Sequence, residues 1–129
     1  MIVAIIVYMT IAIDFDGTIT EEDKIKGVIQ VEPIRKDFIE YLPKIAELGH
    51  NLVILTARYK PEHIENAKTR LEEIDYLKYF TDITNKKMFA DFYFDDKSTI
   101  INWKLLYETL KENPEHVAKS YTKKLLEVI

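Results

Sequence analysis

Cysteine is absent from this 129-residue chain, which excludes disulfides, thiolate metal centres and a cysteine nucleophile. Glycine and proline are scarce, three and four residues, so no flexible linker, collagen-like repeat or low-complexity tract divides the sequence. There is no basic excess either. Eighteen Lys and Arg stand against 22 Asp and Glu, and the net charge of −4 argues against nucleic acid or an anionic membrane surface as the main partner. His50, His63 and His116 are scattered without metal-ligand spacing and read as structural or solvent-facing. What is present, 47% hydrophobic and 31% charged residues, is the composition of an ordinary folded domain. The length suits one domain spanning 1–129, with the cytoplasm as the default setting.

The longest apolar run, Met1 to Ile13, is broken only by Thr10. It is shorter than the ~20 residues of a membrane-spanning helix. No Lys or Arg precedes Lys24, so the basic start of a signal peptide is missing. Its β-branched residues predict a strand buried on both faces. A start at Met9 would still leave Thr10 to Ile13 as a strand, with Met1 to Tyr8 as an extension.

Beyond Asp14-Phe15-Asp16-Gly17-Thr18 the chain is polar through Gln30, a loop or short flap. Ile34, Phe38, Leu42, Ile45 and Leu48 then recur at helical spacing, with Gly49 as the C-terminal stop and Pro43 expected to kink or split the helix near Leu42. Asn51 to Thr56 predicts a second buried strand. Pro61 opens a helix carrying Ile64, Ala67, Leu71 and Ile74. A short strand is expected around Phe80 to Thr84, and Phe92-Tyr93-Phe94 runs as a strand into Asp95-Asp96. Two helices follow. Ile100, Trp103, Tyr107 and Leu110 mark the face of the first, and Asn113-Pro114 separates it from a second that ends with Leu125 and Leu126. No internal repeat is visible.

Strands alternating with helices predict an α/β fold with a parallel sheet, whose ligands bind beyond the carboxyl ends of the strands. Asp14 and Asp16 follow the first strand, Thr56 ends the second, and Asp95 and Asp96 end the last, so all should meet at one rim. Four carboxylates there repel one another and any phosphate, and a hard divalent cation bound through oxygen, Mg²⁺, is the natural remedy. A lysine in Lys86-Lys87 and the Thr56 hydroxyl offer donors to phosphate oxygens. The paired acids of Asp-x-Asp suit phosphoryl transfer, because one carboxylate can attack phosphorus while the other moves the proton.

These residues resemble the haloacid dehalogenase superfamily, in particular its phosphatase-like members without a cap domain. Asp14-Phe15-Asp16-Gly17-Thr18 is similar to the first motif of that family, Ile54-Leu55-Thr56 to the second, a lysine at 86 or 87 to the third and Tyr93-Phe94-Asp95-Asp96 to the fourth. The resemblance implies a three-layer, Rossmann-like α/β fold around a central parallel sheet with no cap, and Mg²⁺-dependent hydrolysis of phosphomonoesters through an aspartyl-phosphate. It implies Asp14 as nucleophile and Asp16 as acid and base. Mg²⁺ would be held by the Asp14 carboxylate, the Asp16 backbone carbonyl and Asp95, assisted by Asp96, and the phosphoryl oxygens by Thr56 and Lys87. Lys87 is favoured over Lys86 by its spacing to Asp95, although Met88 stands where relatives often have Pro. Asp16 favours phosphate over carbon–halogen chemistry, and Phe15 replaces the Lys of P-type ATPases.

Two rivals come from other classes. A receiver-like signalling module also combines an acidic pair, a phosphoacceptor Asp, a hydroxyl and a Lys, but in a different motif order. A catalytically silent scaffold would not need every chemical role. Arg58 reads equally as a contact for a second anionic group of the substrate and as a surface ion pair. The Lys111, Lys119, Lys123 and Lys124 group reads as a solvated helix face. The expected partner is a phosphorylated substrate. With no room for a cap, the rim would be covered by the flap of Ile19 to Val31, by the substrate itself or by a second subunit in a homo-oligomer.

Overall fold

The computed structural model describes residues 8–22 and 32–129. Within them the fold is α/β, a four-stranded parallel sheet flanked by helices in a Rossmann-like arrangement. The strands are β1 (Thr10–Ile13), β2 (Asn51–Leu55), β3 (Asp82–Thr84) and β4 (Phe92–Phe94), in the order β3-β2-β1-β4. The helices are α1 (Lys36–Glu47), α2 (Pro61–Glu73), α3 (Trp103–Glu112) and α4 (Val117–Val128). Of the strand expected over Met1 to Ile13, residues 1–7 lie outside the described residues, as do residues 23–31 of the expected flap. At the flap's base Thr20 bridges antiparallel to Ile34.

Alternation along the strands sends Ile11 and Ile13, Leu52 and Ile54, and Phe94 into one core with Phe38, Leu42 and Ile45 of α1 and Ala67 and Leu71 of α2. Trp103 is at its centre. Its ring centroid is 5.1 Å from that of Phe38 and 5.0 Å from that of Phe94, both edge-on, the geometry that aromatic quadrupoles favour.

Pro43 does not split α1, which runs unbroken from Lys36 to Glu47. Proline removes the donor that would have met the Ile39 carbonyl one turn earlier. The Tyr76 hydroxyl donates to that carbonyl instead, at 2.6 Å. Gly49 stops the helix as expected, at φ +89° with its N–H bonded to Ala46.

Ile100 also departs from expectation. It precedes α3 and is exposed, because Asn102 caps the helix, its side chain accepting from the Leu105 N–H at 3.0 Å. The Ile100 carbonyl accepts from the Tyr121 hydroxyl at 2.6 Å, which in turn accepts from the Asn102 N–H. Burial pushes the Tyr121 phenol up to about 12. In α4 Leu125 is buried but Leu126 faces solvent.

Candidate active site

The parallel register aligns the strand ends. Ile13 pairs with Ile54 on one side and Phe94 on the other, so Asp14, Thr56 and Asp95 all leave the sheet at the same edge. The Asp14 N–H donates to the Phe94 carbonyl at 3.0 Å and the Thr56 N–H to the Thr84 carbonyl at 2.9 Å, which holds those exits in place. A cleft of about 410 Å³ opens there, lined by Asp14, Thr56, Asp95, Lys97, Ser98 and Tyr93 among others.

After Asp14 the chain turns tightly. The Phe15 carbonyl accepts from the N–H groups of Thr18, Ile19 and Thr20, while Phe15 and Thr18 to Thr20 are buried. Trp103 supports this loop from the core, its indole Nε1 donating to the Thr18 carbonyl at 2.8 Å. Gly17 at φ +80° lies against the Asp96 carboxylate, close enough that a Cβ at this position would overlap it. A side chain at Gly17 must therefore displace Asp96 as well as accept a left-handed backbone. Gly17→Ala is expected to cost about 1–2 kcal/mol in denaturant unfolding; unchanged stability would show that the loop and Asp96 can separate freely.

Asp14 is largely buried, and its carboxyl is pushed up from 3.8 to about 7. Burial is the main cause. The bond from the Phe15 N–H, 2.8 Å to Oδ1, opposes it, while Asp96, by charge and as hydrogen-bond partner, and then Asp16 raise it further. Asp95 is held by its own loop: Oδ1 accepts from the N–H groups of Lys97 and Ser98 at 2.9 and 3.0 Å, and Oδ2 from the Ser98 hydroxyl at 3.3 Å. The Asp96 N–H donates to the Thr18 hydroxyl at 3.2 Å, tying the two acidic loops together. Thr56 Oγ1 accepts from the Arg58 N–H at 3.1 Å, which leaves its own proton for another acceptor.

Asp16 is turned to Arg58. Its two carboxylate oxygens accept from Nε and Nη2, both at 2.8 Å, with the side chains only 20% and 7% exposed. The surface ion pair that the sequence allowed at Arg58 is thus a largely buried, two-pronged one with a residue of the Asp-x-Asp pair. Its guanidinium also lies 4.9 Å from the Phe15 ring. Lys86 and Lys87 are exposed and neither lines the cleft. They follow β3, which β2 separates from β1, and the Lys86 N–H is tied back to the Thr84 hydroxyl. Lys97, to which the sequence reading gives no role, is the lysine among the residues lining the cleft. Its only signal in the sequence is its position directly after Asp95-Asp96.

No three carboxylates or imidazoles converge as a metal-ligand cluster among the described residues. A hard cation needs less. Mg²⁺ commonly takes one or two protein carboxylates and keeps water in its other positions, and the crowding of Asp14 by Asp96 is the kind of paired negative charge a cation relieves. The donor set therefore fits Mg²⁺. Among the described residues no helix is long and apolar enough to cross a membrane.

Neither a protein-family model nor a curated protein sequence matches the chain. It is similar to the solved structure of a conserved protein from Bacteroides thetaiotaomicron, 28% identical over 81% of this chain and 91% of that one, with a TM-score of 0.60.

Proposed function

We propose that the protein is a Mg²⁺-dependent phosphomonoesterase of the haloacid dehalogenase type, working in the cytoplasm through an aspartyl-phosphate. The observation that carries this reading is the meeting of Asp14, Thr56, Asp95 and Lys97 in one cleft beside Asp96. An Asp14 oxygen attacks phosphorus, the bond from phosphorus to the leaving oxygen breaks, and that oxygen takes a proton from Asp16, carried on a carboxyl oxygen position outside the Arg58 fork. Water then attacks the phosphorus of the aspartyl-phosphate, Asp16 takes the proton, and inorganic phosphate leaves with the Asp14 carboxylate restored. Asp14 with Asp95 or Asp96 would hold Mg²⁺, which when bound neutralises charge on the phosphoryl oxygens. The Thr56 hydroxyl and Lys97 bind those oxygens directly.

A screen of phosphomonoesters with Mg²⁺, ranked by kcat/KM, tests the proposal. Sustained turnover supports it; stable self-phosphorylation would favour the receiver-like reading, and neither would favour a scaffold. Because the cleft is open, a large substrate, or a second subunit over the rim, is the expected means of excluding water. Lysine substitution separates the two candidate cations. Lys97→Ala should lower kcat/KM by about 10- to 100-fold by removing a charge from the phosphoryl site, whereas Lys87→Ala should stay within about twofold. The reverse order would return the role to Lys87.

A further inference from the structure

We infer that Arg58 is a positioning residue for Asp16, and that the first turns of α2 set the aim of the proton-moving carboxylate. Arg58 has five N–H donors, and four are engaged within the protein: two on Asp16, one on the His63 carbonyl at 2.6 Å and one on Asn66 Oδ1 at 3.1 Å. One donor remains, too few for the two-pronged grip with which arginine recognises a phosphate or carboxylate. The side chain is 7% exposed, its guanidinium lies over the Phe15 ring, and its own N–H is bonded to Thr56. Arg58 is therefore a strut. It joins the end of β2, the start of α2 and the loop after β1, and its free end is Asp16.

The fork fixes both oxygens of Asp16 in one plane, and each oxygen keeps a further lone-pair position outside the fork. Asp16 can thus meet a leaving oxygen or an attacking water only through those two remaining positions, one of which carries the proton it gives. Loss of the strut leaves Asp14, Thr56 and Lys97 where they are and removes the aim of the group that moves the proton. The inference rests on the phosphatase reading, and its signature is selective: substrates that need a proton on the leaving oxygen suffer, and hydrolysis of the aspartyl-phosphate suffers, while attack by Asp14 on a substrate with a good leaving group does not.

The test compares an alkyl phosphate with p-nitrophenyl phosphate in the Mg²⁺-loaded full chain. Arg58→Ala should lower kcat on the alkyl phosphate about 100-fold with KM within about threefold, the range expected when acid–base help is lost. With p-nitrophenyl phosphate it should release about one nitrophenolate per site in a burst before slow turnover. Added guanidinium should recover at least about tenfold of the alkyl phosphate rate. Because Arg58→Ala leaves Asp16 without its partner and can weaken folding, Asn66→Ala provides the second variant. It removes one anchor of the strut at an exposed helix position and should show the same selective pattern at about three- to tenfold. A rise in KM with kcat unchanged would make Arg58 a substrate anchor and overturn the inference, as would equal losses on both substrates without a burst. Wild-type protein without metal-dependent turnover would sink the phosphatase reading itself; wild-type turnover with either contrary pattern sinks only the role of Arg58.

Discussion

Asp14→Asn should lower kcat by at least about 10⁴-fold, the scale on which removal of a catalytic nucleophile is felt, while leaving a folded protein that no longer takes up a phosphoryl group. Steady-state assays and the intact mass after brief exposure to substrate measure both effects. A near-normal kcat would end the covalent mechanism. The same substitution should change the pH dependence of stability. The folded Asp14 carboxyl, at about 7, stands above its ordinary value of 3.8, so as pH rises the unfolded chain gives up this proton first. The stability carried by protonated Asp14 is whole below about pH 4 and is lost as pH climbs through about 7. An amide does not ionise. Without metal at pH 8, Asp14→Asn should therefore melt higher than wild type, by roughly 5 °C, and a lower melting temperature would show that the carboxylate is not held in a disfavoured state.

Chelation of Mg²⁺ should abolish turnover and readdition should restore it, because the substrate otherwise meets Asp14, Asp95 and Asp96 with Lys97 as the cation lining their cleft. The affinity itself should depend on pH. Below about 7 the cation competes with the proton on Asp14, so binding should weaken about tenfold per pH unit, and above about 7 it should level off. Titration calorimetry between pH 5.5 and 8.5 measures the slope. Full activity in demetallated protein, or an affinity flat across that range, would remove Asp14 as a metal ligand.

The strands that matter most were legible because their signals are local. Ile11-Ala12-Ile13, Leu52-Val53-Ile54-Leu55 and Phe92-Tyr93-Phe94 are short apolar runs each followed by a polar residue, and parallel pairing then brings Asp14, Thr56 and Asp95 to one edge. What escaped depends on partners far along the chain. Pro43 looks like a break until Tyr76 supplies the donor it removed, and nothing near residue 43 announces a tyrosine 33 positions later. Arg58 pairs with a carboxylate 42 residues away, so its choice between substrate and protein lay beyond reach of sequence spacing. Lys87 has motif order in its favour, but it follows the edge strand β3, whereas Lys97 follows β4 beside β1 and lines the cleft, a difference that strand order in the sheet makes and sequence spacing does not show.

The bond from the Trp103 indole to the Thr18 carbonyl spans 85 residues. Contacts so distant close large loops, whose entropic cost must be met before the contact returns any stability. During synthesis the support beneath the Asp14 loop is therefore missing until residue 103 has emerged. Since Trp103 is the only tryptophan, the chain carries its own optical reporter of that support: in a refolding trace, the change in indole fluorescence reports the burial of Trp103 against Phe38 and Phe94 beneath the Thr18 loop.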